Sequence, residues 1–261
     1  MRAGLATIEA GEGGRPLLLV HGFTGAKEDF ADHVDDLAAA GWHVVAPDLP
    51  GHGESHPHGA EFGFGPYAEA VLAVADELGW ARFALLGHSM GGVVAQHVAL
   101  EAPDRLTALV LMDASPDRVD VDPSLVDLAC EVAATQGMPS LLELQRELGG
   151  PLDTETSLRL HRERPGWREL QDQKFLSCSP EMYVTMARLL TTSPSRADRL
   201  ARLDVPTLVL VGEHDVLLRA PSDRLADAIP GAKLVVIPGA GHSPQIEAPT
   251  AWFEAVTDFL A

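Results

Sequence analysis

Short runs in which nearly every residue is apolar alternate along this chain with stretches whose apolar residues recur at helical spacing. The runs are Leu5–Ala10, Pro16–Val20, Trp42–Ala46, Phe83–Leu86, Leu106–Met112, Thr207–Val211 and Lys233–Ile237. Each is strand-length, and most are apolar at successive positions, as buried parallel strands should be. Between them, residues 27–40, 66–79, 93–101 and 248–260 carry helical periodicity. This βα rhythm predicts an α/β protein with a mostly parallel sheet of about seven strands and helices on both faces. From residue 116 to about 200 the rhythm breaks. That stretch shows only helical patterns, over Pro123–Ala134, Pro139–Leu148 and Pro180–Leu190, with Pro165-Gly166 as a turn.

The apolar run Phe83–Leu86 meets the helical stretch at Gly87-His88-Ser89-Met90-Gly91. A serine between strand and helix sits on a tight turn, where a Cβ at either flanking glycine would collide with the crossing backbone. The turn presents the Ser89 hydroxyl clear of the sheet at the positive end of a helix. A serine alcohol needs a base, and the base needs an orienting acid. Downstream, Thr207–Val211 is followed by Gly212-Glu213-His214-Asp215, and Lys233–Ile237 by Pro238-Gly239-Ala240-Gly241-His242. The order Ser89, Asp215, His242 is the one expected of a nucleophile-elbow hydrolase. After Pro16–Val20 comes His21-Gly22-Phe23-Thr24-Gly25. A glycine-bearing loop there turns backbone N–H groups inward, so the expected oxyanion donors are the N–H groups of Phe23 and Met90.

These segments, together with Asp48-Leu49-Pro50-Gly51-His52-Gly53-Glu54-Ser55, resemble the α/β-hydrolase superfamily over nearly the whole chain. The resemblance implies a core of residues 1–115 and 201–261, with 116–200 as a helical cap, or lid, inserted after the sixth family strand. The family usually opens with two further strands, and this chain has one run there, hence seven strands rather than eight. Candidates for the substrate pocket are His88, Leu141, Leu144, Met182 and Met186, with Leu190 beside them; packing within the lid accounts for the lid residues equally well.

Composition narrows the function. The chain has 261 residues, 46% of them hydrophobic, enough for one core. Its net charge is −19, which argues against nucleic acid and anionic membranes as partners and favours neutral substrates. Lys27, Lys174 and Lys233 are its only lysines. Cys130 and Cys178 form no disulfide framework and read as separate thiols. The first residues carry no signal-peptide stretch and no apolar run is long enough to span a bilayer, so a soluble, cytoplasmic enzyme is expected. Monomer and dimer both stay open.

Several residues carry rival readings. Asp113, at the end of the strand after the elbow helix, competes with Asp215 for the role of acid. Glu213 and His214 read as packing neighbours, and His21 as a brace for the oxyanion loop. His52, His56 and His58 cluster, but without a helical i,i+4 pair or a cysteine they make a poor metal set. Gly11, Gly13 and Gly14 form a turn, not a phosphate loop. The expected activity is therefore hydrolysis of small to medium neutral carboxylic esters through an acyl-enzyme, with no cofactor and no metal. The alternatives are carbon–carbon chemistry, resembling 2-succinyl-6-hydroxy-2,4-cyclohexadiene-1-carboxylate synthases or meta-cleavage-product hydrolases, and a cofactor-free perhydrolase. In the synthases an arginine typically follows Ser-Met-Gly-Gly; here Val93 stands there. A ligand-binding receptor on a hydrolase scaffold is the reading from another class, and turnover discriminates it.

Overall fold

The computed structural model describes residues 1–56, 59–149 and 155–261. The apolar runs form seven strands: β1 Thr7–Ala10, β2 Arg15–Val20, β3 Trp42–Pro47, β4 Phe83–His88, β5 Leu106–Met112, β6 Thr207–Gly212 and β7 Lys233–Ile237. They lie in one sheet in the order β1-β3-β2-β4-β5-β6-β7, with only the β1–β3 pair antiparallel. The fold is the α/β-hydrolase fold that the sequence implied.

Burial on both faces explains why the strands read as unbroken apolar runs. In β2, Leu18 and Val20 face one core while Leu17 and Leu19 face another. The same split runs through Phe83 and Leu85 against Ala84 and Leu86, and through Leu109 and Leu111 against Val110 and Met112. The helices, in chain order, are α1 Ala31–Ala39, α2 Phe64–Glu77, α3 Met90–Glu101, α4 Pro123–Leu148, α5 Glu155–Glu163, α6 Trp167–Leu176, α7 Pro180–Thr192, α8 Ala197–Leu200, α9 Arg219–Ala228, α10 Pro244–Glu247 and α11 Pro249–Leu260. Val34 and Leu37 of α1 and Trp252, Val256 and Leu260 of α11 fill one core; α2, α3 and residues of α4 and α7 fill the other. Each fully buried Leu or Phe side chain stabilises by about 1.5–3 kcal/mol.

The helices between β5 and β6 differ in part from the sequence expectation. Pro123–Ala134 and Pro139–Leu148 join into α4, which breaks at Gly137, where φ is 83°. Asp122 caps α4 by accepting the Ser124 N–H at 2.9 Å, and Ser179 caps α7 by accepting from Met182 at 3.0 Å; a proline follows each cap. Helices α5 and α6 are too polar overall to stand out in the sequence; α5 buries only Thr156, and α6 only Trp167, Lys174 and Phe175. β4 and α3 also extend beyond their apolar patterns, to His88 and back to Met90, because Gly87, Gly91 and Gly92 mask the hydropathy signal. Cys130 and Cys178 are both buried and free. Among the described residues no helix is long and apolar enough to cross a membrane.

The strand order places the site. β2 has β3 on one side and β4 on the other, so the chain winds outward, returns, and winds the other way. A crevice opens at the carboxyl ends of strands where winding reverses. The loops after β2 and β4 flank that crevice, and the loops after β5, β6 and β7 leave the same edge of the sheet.

Candidate active site

Ser89 stands between β4 and α3 with φ 53° and ψ −115°, a left-handed backbone that serine rarely adopts. Close approach of the backbone holds it there. A Cβ on Gly87 would lie 2.2 Å from the Gly91 carbonyl oxygen, and one on Gly91 would lie 2.3 Å from that of Val20. The Ser89 N–H is anchored to Met112 O at 2.8 Å. The collision expected from the sequence is therefore present at both flanking glycines.

The structure brings Ser89, His242 and Asp215 together. His242 Nδ1 lies 2.7 Å from Asp215 Oδ2, and His242 Nε2 lies 3.0 Å from Ser89 Oγ. Asp215 is buried, and its Oδ1 accepts the backbone N–H groups of Leu217 and Leu218 at 3.1 and 2.9 Å. Burial by itself would raise its pKa, but the bond and charge of His242, with these N–H donors, outweigh burial and pull it down to about 2. An ionised Asp215 only accepts, so Nδ1 carries the imidazole proton and Nε2 is left to accept from the Ser89 hydroxyl. That is the arrangement of an activated alcohol.

Surrounding groups fix the histidine loop. His88 Nε2–H donates to the His242 carbonyl at 2.7 Å, and the two rings lie 4.9 Å apart. Burial, then the proximity of His242, lowers the His88 pKa to about 3, so it stays neutral. Glu247 on α10 accepts from the N–H groups of Gly241 and Ser243, at 2.5 and 3.2 Å, and Glu213 accepts from Gly239 at 2.9 Å. The Glu247 clamp was not read from the sequence; an acid five residues beyond the histidine was its signal. His214 is exposed, its backbone N–H bonded to Ala240 O.

The loop after β2 lies against the serine. A Cβ on Gly22 would come within 3.2 Å of Ser89 Cβ, and Gly25 N–H closes a turn onto Gly22 O at 3.1 Å. His21 holds this loop, its Nε2 accepting Leu49 N–H at 3.0 Å and its Nδ1–H donating to Gly22 O at 2.8 Å. Phe23 follows in the turn, and Met90 is the first residue of α3, where an N–H has no acceptor within the helix.

Of the pocket candidates, Leu141, Met182 and Met186 are fully buried, while Leu144 and Leu190 are half-buried against the same cluster. The Tyr183 ring of α7 packs tilted against that of Phe23 with centroids 4.8 Å apart, which joins α7 to the loop after β2. A second connection went unread: Lys174 of α6 is buried and donates to Asp29, also buried, next to that loop. Burial would raise the Asp29 pKa, but Lys174 holds it down. Of the histidine cluster, His52 packs against His21 and Tyr67, His56 bonds Gly53 O, and His58 lies outside the described residues. Asp113, the rival acid, lies buried behind Asp215 and accepts the Gly212 N–H at 3.0 Å. Its carboxyl, that of Asp215 and the His242 ring nitrogen lie within 4.8 Å of one another. That grouping has the makings of a metal set, but His242 Nδ1 and Asp215 Oδ2 are already spent on each other.

Residues 15–249 match the model of the alpha/beta hydrolase fold family. The chain is 26% identical, over 94% of its length and 89% of the other, to a putative 2-succinyl-6-hydroxy-2,4-cyclohexadiene-1-carboxylate synthase of Bacillus subtilis. Among solved structures it resembles the enol-lactonase of Burkholderia xenovorans LB400, at 26% identity and TM-score 0.84 over 98% of this chain and 96% of that one. A thermophilic esterase of Thermogutta terrifontis is similar at 31% identity and TM-score 0.83, over 98% and 92%.

Proposed function

The chain belongs to the α/β-hydrolase family, and on that premise we propose that it hydrolyses neutral carboxylic esters of small to medium size through an acyl-enzyme on Ser89. Ser89 Oγ attacks the ester carbonyl carbon while His242 Nε2 takes the hydroxyl proton. The N–H groups of Phe23 and Met90 hold the oxyanion that forms. The carbon–oxygen bond to the alcohol breaks, and His242 gives the proton to the leaving oxygen. Water, deprotonated by His242, attacks the acyl carbon; the bond from that carbon to Ser89 Oγ breaks, His242 returns the proton to Oγ, and the acid leaves. Asp215 holds the imidazole in the productive tautomer throughout.

The observation that carries this reading is the pair of hydrogen bonds through His242, 3.0 Å to Ser89 and 2.7 Å to Asp215. Similarity to an esterase and to an enol-lactonase supports acyl transfer to water. Residues 116–200 act as the lid over a core of 1–115 and 201–261, with Met182, Met186, Leu141, Leu144 and His88 shaping the acyl pocket. The net charge of −19 and the apolar, buried Val93 in the first turn of α3 favour a neutral substrate over an anionic one.

A second reading, carbon–carbon bond chemistry with the same three side chains, is favoured by the similarity to the Bacillus subtilis protein. Hydrolysis of p-nitrophenyl esters from acetate to palmitate separates the two. Turnover peaking at short or medium chains is expected. Folded protein that turns over none of them overturns the ester reading and leaves carbon–carbon chemistry or ligand binding.

A further inference from the structure

Asp113 directly follows the strand β5 with φ 45°, a left-handed conformation strained for any residue but glycine and, to a lesser degree, Asn and Asp. It is 0% exposed, yet it belongs to neither the Ser89–His242 nor the His242–Asp215 contact. Its Oδ1 accepts from Gly212 N–H at 3.0 Å. No N–H or O–H among the described residues reaches its Oδ2. The carboxyl of Asp215 lies against it: one oxygen of each carboxyl and a ring nitrogen of His242 all fall within 4.8 Å of one another. Two acceptor groups in contact repel unless a proton lies between them.

The surroundings decide which carboxyl holds that proton. Asp215 faces the imidazole of His242 and takes two backbone N–H donors, all of which favour its ionised form. Asp113 has one backbone donor and is closed to solvent, and the charged groups that act on it, Asp215 from the loop after β6 and Glu247 from α10, are both acidic. His242, from the loop after β7, spends its Nδ1 on Asp215. We propose that Asp113 is a neutral carboxylic acid whose Oδ2–H donates to Asp215, which makes it a positioning residue for the Ser89–His242–Asp215 set. The donated bond turns Asp215 so that Oδ2 points at His242 Nδ1, and it spares the site a second buried negative charge. Burial, and then Asp215, push the Asp113 pKa well above the usual carboxylate range, in accord with this assignment.

The positioning consequence rests on the acyl-enzyme reading; the proton itself does not. Asparagine in place of Asp113 reproduces both bonds, its amide N–H to Asp215 and its oxygen to Gly212 N–H, and tolerates a left-handed φ. Asp113→Ala supplies neither bond. On p-nitrophenyl butyrate, Asp113→Ala is expected to lose about 10–100-fold in kcat, the worth of one hydrogen bond to a charged group, with KM little changed. Asp113→Asn is expected to recover most of that loss. Infrared difference spectra of wild type against Asp113→Asn at neutral pH, without substrate, are expected to show the carbonyl stretch of a protonated acid in the wild type alone. Thermal melts add a sign. A raised folded value means that stability is lost as pH rises from the ordinary carboxylate value of about 4 towards the folded one. Wild type should therefore fall behind Asp113→Asn as pH rises. Absence of the acid band at neutral pH overturns the proposal, as does an Asp113→Asn loss as large as that of Asp113→Ala. If no ester is turned over, the infrared and melting results still decide the proton, so failure of the catalytic reading is seen separately.

Discussion

Replacing Ser89 by alanine is expected to lower ester turnover by about 10⁶-fold, the cost of removing a nucleophile whose base and oxyanion donors act only in concert with it. The substitution deletes the hydroxyl that lies 3.0 Å from His242 Nε2. With the alcohol gone, His242 has no hydroxyl of the chain left to activate. A residual rate of about 10³–10⁴ over the uncatalysed reaction is expected from oxyanion stabilisation and binding alone. KM should change little, because the substrate's contacts with the lid and the oxyanion loop remain. The fold should survive. Ser89 already holds φ at 53°, and alanine in that conformation pays nearly the same steric cost of about 1–2 kcal/mol. Circular dichroism and a thermal melt of the variant, beside steady-state kinetics, check each part.

Asp215→Asn is expected to cost about 10⁴-fold in kcat, again with little change in KM. The reason lies in how asparagine must sit. Oδ1 of residue 215 accepts the N–H groups of Leu217 and Leu218, so the amide oxygen takes that side. The amide NH₂ then faces His242 Nδ1, which must accept instead of donate. The imidazole proton moves to Nε2, and the nitrogen that should take the proton from Ser89 already carries one. Stability supplies an independent check. The folded pKa of Asp215 is about 2, below its ordinary 3.8. Its stabilisation is thus present above pH 4 and lost as pH falls through 4 towards 2. The melting difference between wild type and Asp215→Asn should shrink across that window. Equal kcat in the two proteins would remove Asp215 from the mechanism.

Much of this molecule was legible in the chain itself. Strands buried on both faces need apolar residues at successive positions, and Leu17-Leu18-Leu19 or Leu208-Val209-Leu210 can satisfy little else. The elbow was legible because a serine between Gly87 and Gly91 meets a steric demand visible in two letters. What stayed hidden depends on partners far away in sequence. Lys174 looks like a solvent-facing residue of α6 until Asp29, 145 residues earlier, is placed against it. Arg196 is buried because it donates to Gln96, 100 residues away, and to Ser115 O. Helices α5 and α6 are polar overall, so their few apolar residues, among them Leu158 and Leu160 in the one and Trp167, Leu170 and Phe175 in the other, give a faint signal. Asp113 read as a rival of Asp215, since both follow strands at the same edge. Only the pairing of β5 with β6 sets one carboxyl behind the other.

The most direct test of the account is mass spectrometry of the enzyme quenched in acid during turnover of p-nitrophenyl butyrate. The nitrophenolate leaves readily, so acylation outruns deacylation and the intermediate accumulates. One butyryl group per chain is expected, on the peptide bearing Ser89, and none on Ser89→Ala. Full turnover with Ser89 unmodified, or a butyryl group on any other residue, would contradict it.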